Sequence, residues 1–185
     1  SKKNIFTTFS FSNGMYCDYA ATTPVAPEVF AAMQPYFSTT FGNPGSLHSF
    51  GQVASRAVFL ARETIAQTLG CNYKEIIFTG SATEANNLAL RGVVRAYQRI
   101  TNSERMNEFV NSEKIRDSLM RPRIIISAIE HGSVLETARD LEREGVEVIY
   151  IPVNHDGIVD VKKIRVALND RTVLVSIMYA NNEIG

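Results

Sequence analysis

Phe78-Thr79-Gly80-Ser81-Ala82-Thr83-Glu84 is the stretch whose reading decides the fold. The apolar run Ile76-Ile77-Phe78-Thr79 predicts a short strand, Gly80 turns the chain, and a helix-start signal follows at once. Ser81 and Glu84 have the spacing of a reciprocal cap, in which the hydroxyl takes an amide of the first turn and the carboxylate reaches back. The free amides of Ala82 and Thr83, the Thr83 hydroxyl and the positive end of the helix dipole would then face one point beyond the strand. Such a point suits a phosphate. A well-capped helix with no ligand explains the same spacing. Neither the Walker nor the Rossmann glycine pattern is present, which disfavours a nucleotide.

Outward from this junction, helical and strand signals alternate, the pattern of an α/β fold with a mostly parallel sheet. Val29, Ala32, Met33 and Tyr36 mark one face of an early helix that starts near Pro27 and ends or kinks at Pro35. Val58, Ala61, Ile65, Thr68 and Leu69 mark one face of a second helix, which stops at Gly70. Leu90, Val93, Val94 and Tyr97 face inward from the helix that Ser81 caps. Ile124-Ile125-Ile126 is the next strand, followed by a helix with Val134, Ala138 and Leu141 inward. Val146 to Ile151 is a strand, Asn154-His155-Asp156-Gly157 a turn, and Asp160 caps a helix with Val161, Ile164 and Leu168 inward. The last strand is Val173 to Tyr179. Between Tyr97 and Arg123 the pattern weakens into mixed charge, which reads as a helical surface insertion.

Two more polar clusters follow strands. His131 stands in Ser127-Ala128-Ile129-Glu130-His131-Gly132-Ser133, where a histidine can stack on a planar ring, shuttle a proton or simply cap a helix. Asn181 and Asn182 follow the last strand, where amides can hold a carboxylate or phenolic oxygen, or satisfy a turn. Ligands of open α/β sheets gather at the carboxyl ends of strands, so the three clusters support one another. His48 and His155 lie in turn-rich segments, and Cys17 and Cys71 have no histidine neighbour or paired-cysteine spacing. Both cysteines read as inert, and no metal site is expected.

Composition sets the frame. Of 185 residues, 45% are hydrophobic and 21% charged, and 19 basic residues balance 19 acidic ones. A core is feasible at this length, and the balanced charge argues against nucleic acid or an anionic membrane surface as partner. No apolar run reaches the roughly 18 residues of a membrane span, and no signal peptide is read. A cytoplasmic location is the expectation.

Tyr16-Cys17-Asp18-Tyr19-Ala20-Ala21-Thr22-Thr23-Pro24 resembles the opening motif of the cysteine desulfurases, class V, fold-type I pyridoxal-phosphate enzymes. Phe41-Gly42-Asn43-Pro44 with Ser46, His48 and Gly51 resembles their second loop. Ile77 to Glu84 with Asn86-Asn87-Leu88, Glu130-His131, and Val175 to Met178 with Asn181 to Gly185 match in the family's order. The pattern is more similar to the iron–sulfur housekeeping and nitrogen-fixation group than to the sulfur-mobilisation group.

The resemblance implies a three-layer α/β sandwich around a mostly parallel sheet, incomplete at its carboxyl end. Residues 1–15 would be an N-terminal extension and 16–185 the first part of the cofactor-binding large domain, with 97–123 inserted. Ala82 and Thr83 would bind the phosphate of pyridoxal 5'-phosphate, and His131 would stack on its ring and assist proton transfer as the catalytic residue. Asn182 would bond the phenolic oxygen and lie near the substrate carboxylate, and Ala21 and Thr22 would close over the substrate. The implied reaction turns L-cysteine into L-alanine and leaves a persulfide on an enzyme cysteine, for a sulfur acceptor or iron–sulfur scaffold protein, in a homodimer. Selenocysteine lyase and a non-catalytic split subunit are the alternatives.

Two departures stand out. The family usually reads Ser-Gly where this chain reads Gly80-Ser81. Its cofactor-attaching lysine, persulfide cysteine and pyridine-pairing aspartate have no match here, so the 185 residues are expected to be the front part of a longer protein and inactive alone.

Overall fold

A computed structural model describes residues 15–101 and 121–185. The helical insertion expected over 97–123 therefore falls largely outside the described residues. Its first residues continue a helix through Thr101, and its last ones, Pro122 and Arg123, lead into a strand. The chain divides into two compact units, 1–76 and 77–185, each described here by itself.

The first unit is helical: α1 (Pro27–Met33), α2 (Pro35–Ser38), α3 (Ser49–Leu69) and a single 3-10 turn at Tyr73–Glu75. Pro27 and Pro35 occupy first-turn positions, where a missing amide hydrogen costs nothing, so the early helix breaks at Pro35 as its sequence predicts. Gly70 ends α3 in the left-handed region, with φ at 67°. Where the loop before α3 meets that helix's first turn, a Cβ on Gly42 would lie 2.2 Å from the Phe50 carbonyl oxygen, and one on Gly51 would lie 2.2 Å from that of Ser46. Both positions need glycine because backbone meets backbone there.

The apolar faces of these helices are not buried. Val29, Met33 and Tyr36 of the first stripe, and Val58, Ile65 and Leu69 of the second, are exposed. An amphipathic stripe reports that a face needs a partner, and none within this unit covers these two.

The second unit carries the sheet and the core. Its elements are α4 (Ala82–Thr101), β1 (Arg123–Ser127), α5 (Gly132–Arg143), β2 (Glu147–Ile151), α6 (Val161–Ala167) and β3 (Thr172–Ser176). The three strands are parallel in the order β2-β1-β3, with Ile124 opposite Val148 on one side and Leu174 on the other. Central β1 reads as an unbroken apolar run because both faces are covered. Ile124, Ile125 and Ile126 are all fully buried. Ile124 and Ile126 pack with Leu90 and Val94 of α4, Val134, Ala138 and Leu141 of α5, and Val146 and Val148.

Four expectations are corrected. Of the inward face of α4, Leu90 and Val94 are buried but Val93 is exposed. Ile76–Thr79 pairs with no strand among the described residues, and Ile77 and Phe78 stay exposed; apolar spacing makes a strand only where a neighbouring strand lies alongside to pair with. Val161 of α6 and Leu168 just after it are exposed rather than inward, since that helix is only seven residues long and meets the sheet mainly at β2. β3 ends at Ser176 instead of Tyr179.

At the amino ends of the strands sits a charge clamp. Glu147 takes Arg123 at 2.5 Å and Arg171 at 2.8 Å. The guanidinium of Arg123 also donates to the Ala167 carbonyl at 2.6 Å. The hydrogen bond from Arg123, joined by the charges of Arg123, Arg171 and Arg121 and opposed by partial burial, holds the Glu147 carboxyl below the usual range. The clamp ties all three strand starts and α6 together.

Candidate functional site

The opposite, carboxyl end of the sheet is where the polar clusters meet. The successor of β1 lies on one side of it and β3 on the other, so the segments leaving β1 and β3 run side by side. In open α/β sheets this is the ligand-bearing crevice.

Ser81 and Glu84 cap α4 as expected, with one change of partner. Ser81 Oγ accepts the Glu84 amide at 3.1 Å, but the Glu84 carboxylate accepts the amide of Gly80, at 2.7 Å. The Ala85 amide bonds the Ser81 carbonyl. The amides of Ala82 and Thr83 are left exposed with no partner among the described residues, at the positive end of a 20-residue helix. The Thr83 hydroxyl is likewise uncommitted among them. This donor set suits an oxyanion such as a phosphate.

His131 caps α5. Its Nδ1 accepts the Ser133 amide at 3.1 Å and lies 2.9 Å from Ser133 Oγ. Ser133 in turn accepts the side-chain amide of Asn86, one turn into α4, at 2.8 Å. The capping reading of His131 is thus realised, yet its ring remains exposed. A ring held by one edge keeps its faces and Nε2 available. His48 caps α3 in the same manner, accepting the Gly51 amide at 3.3 Å, while His155 is exposed in its turn beside Asp156.

The third cluster is tied to the second by a residue whose part the sequence does not reveal. Glu130 is 7% exposed, and one carboxylate oxygen accepts both the Ser127 hydroxyl at 3.0 Å and the Met178 amide at 2.6 Å. It latches the segment after β3 to the segment after β1. Asn181 adds a second tie by donating to the Ile129 carbonyl at 3.0 Å. Its side-chain oxygen accepts the amides of Glu183 and Ile184 at 2.8 and 3.2 Å, closing the last turn. Asn181 is thereby consumed structurally. Asn182 is exposed and makes no side-chain hydrogen bond among the described residues. The only sequence signal for the Glu130 latch is a carboxylate directly after an apolar strand, which a solvated loop would also show.

Ala82, Thr83, His131 and Asn182 therefore belong to one unit, and the chain Asn86–Ser133–His131 and the Glu130 latch link their segments. Ala21 and Thr22 lie in the other unit. Their amides bond the Asp18 carbonyl at 3.1 and 3.4 Å, and the Tyr16 hydroxyl reaches the carbonyls of Asp18 and Thr22 at 2.9 and 3.2 Å. The opening motif is a compact, exposed turn buttoned by a tyrosine. Cys17 is exposed beside it and Cys71 is half-buried, both free.

A parallel sheet flanked by helices, with polar loops at its carboxyl end, defines an α/β domain. A family model described as aminotransferase class-V matches residues 15–185, and the chain belongs to that family. The cysteine desulfurase IscS of Rickettsia massiliae (strain Mtu5) is 44% identical over 172 residues, covering 92% of this chain and 37% of the relative. A solved structure titled NifS-like protein superposes with a TM-score of 0.76 at 34% identity, over 91% of this chain and 41% of that one. Another, titled SspA in complex with cysteine, gives 0.74 at 36% identity, over 91% and 43%. The chain thus spans well under half the length of the proteins it matches.

Proposed function

We propose that these residues form the first part of the cofactor-binding domain of a cysteine desulfurase that uses pyridoxal 5'-phosphate. The observation that carries the reading is the α4 start: two amides and a hydroxyl without partners among the described residues, linked through Asn86 and Ser133 to an exposed imidazole. Ala82 and Thr83 would hold the phosphate, His131 would lie against the ring, and Asn182 would donate to the phenolic oxygen beside the substrate carboxylate. Ala21 and Thr22 would close over L-cysteine. When bound, the cofactor supplies the electron sink for the substrate carbanion. The residues here bind, orient and move protons. The products are L-alanine and a persulfide on an enzyme cysteine, passed to a sulfur acceptor by a cytoplasmic homodimer with residues 16–185 as the front of its large domain.

The test is a spectrophotometric titration of the chain with pyridoxal phosphate. A saturable absorbance change is expected, with Thr83→Val weakening binding about 3- to 10-fold through loss of one hydrogen bond. Linear, unsaturable absorbance would refute the cofactor. Activity is tested in a chimera joining this chain to the remaining sequence of the Rickettsia relative. With a thiol reductant present to release the persulfide sulfur, L-alanine and sulfide should form in equal amounts from L-cysteine, while the 185-residue chain alone forms neither. A folded chimera that binds cofactor but makes no alanine overturns the desulfurase reading.

A further inference from the structure

The hydrogen bonds around His131 specify more than its position. An amide N–H can only donate, so the Ser133 amide at 3.1 Å requires a lone pair on Nδ1. The Ser133 hydroxyl lies 2.9 Å from the same nitrogen and accepts the Asn86 side-chain amide at 2.8 Å, which leaves its own proton to point at Nδ1. Ser133 is buried and Asn86 half-buried, so this chain has little competition from water.

We infer that Asn86 and Ser133 are positioning residues that fix the neutral His131 ring as its Nε2–H tautomer, leaving Nε2 as the one ring nitrogen that exchanges a proton with a ligand. Nδ1 is closed to that exchange because two donors from the first turn of α5 already point at it. The same chain couples the ring to the α4 start. A ligand held by Ala82 and Thr83 is therefore held in register with Nε2. This last step rests on the cofactor reading above; the tautomer does not.

The arrangement assigns a distinct job to each partner. Removing the Ser133 hydroxyl takes away one of two donors to Nδ1 and leaves the backbone donor. Replacing Asn86 by aspartate keeps its size but turns a donor into an acceptor. The Ser133 hydroxyl then donates to that carboxylate and presents a lone pair to Nδ1, which favours a proton there. A hydrogen-bond role predicts that Nε2 loses its proton as Nδ1 gains one, whereas the added charge alone would leave both nitrogens protonated.

The experiment is nitrogen-15 NMR of histidine-labelled full chain, without ligand, at a pH of about 8 where imidazoles are neutral. Histidine occurs three times, so a His131→Gln control assigns the signal. The wild type should show a pyridine-type Nδ1 and a pyrrole-type Nε2. Ser133→Ala should raise the Nδ1–H share about 3- to 10-fold, as loss of one hydrogen bond implies. Asn86→Asp should raise it more than Asn86→Ala. A pyrrole-type Nδ1 in the wild type overturns the inference, as does an unchanged tautomer balance in folded Ser133→Ala and Asn86→Asp. Adding pyridoxal phosphate separates the two readings: a fixed tautomer whose ring signals ignore the cofactor refutes the cofactor site and upholds the tautomer assignment.

Discussion

Glu130 is the place where one substitution should tell most. Replacing it by alanine strips the acceptor from the Met178 amide at 2.6 Å and the Ser127 hydroxyl at 3.0 Å. Ser127 is fully buried and Met178 partly so, and no other acceptor is bonded to either donor among the described residues. An orphaned buried donor costs about 1–3 kcal/mol, giving about 2–6 kcal/mol for two. Release of a desolvated carboxylate returns part of this, so a loss of about 2–4 kcal/mol is expected. Glu130→Gln keeps an oxygen where both donors point and should lose only about 1 kcal/mol. Urea unfolding followed by circular dichroism measures both, provided the slope is unchanged. Hydrogen exchange localises the effect: the Met178 amide and the Asn181–Ile184 turn should lose protection in the alanine variant and keep most of it in the glutamine variant. Equal costs for the two variants, or an alanine cost below about 1 kcal/mol, would mean that the carboxylate is not a latch.

Two other outcomes follow from the scaffold. The Glu147 carboxyl is held below its usual range, so its stabilisation is fully present above the pH where an unfolded glutamate titrates, about 4.3. It is lost as pH falls through the lower folded value. Glu147→Gln should therefore narrow the stability gap to wild type as the solution is acidified, and a gap that widens in acid would contradict the clamp. Gly51→Ala should destabilise the first unit by about 3 kcal/mol or more, since its Cβ would lie 2.2 Å from one carbonyl oxygen and 2.8 Å from another. Thermal unfolding that matches wild type would show that the loop ahead of α3 can yield.

Much of the architecture was legible because it is local. Capping by Ser81 and Asp160, the stop at Gly70, the break at Pro35 and the apolar run of β1 each follow from a few neighbouring residues, and each is present. What local spacing could not settle depended on something distant. The stripes of α1 and α3 and the run Ile76–Thr79 have apolar spacing, but burial and pairing need a second surface, which their own residues cannot specify. The same distinction governs the site. Ala82, Thr83, His131 and Asn182 could be picked out one by one from their places after apolar runs, and the motif order pointed to their family.

What the sequence by itself determined is which groups are available: amides freed at a helix start, an imidazole and an amide after strands, and no matching lysine in these 185 residues. Only the tertiary structure decided which remain free for a ligand. It consumed Asn181 in a turn and left Asn182 open, and it tied Nδ1 of His131 to Ser133 while Nε2 has no hydrogen bond among the described residues. It also made Glu130 a latch between segments 48 residues apart. The physical reason is that a hydrogen bond across such a distance is set by the sheet order that brings β1 and β3 side by side, and no short-range pattern encodes that order.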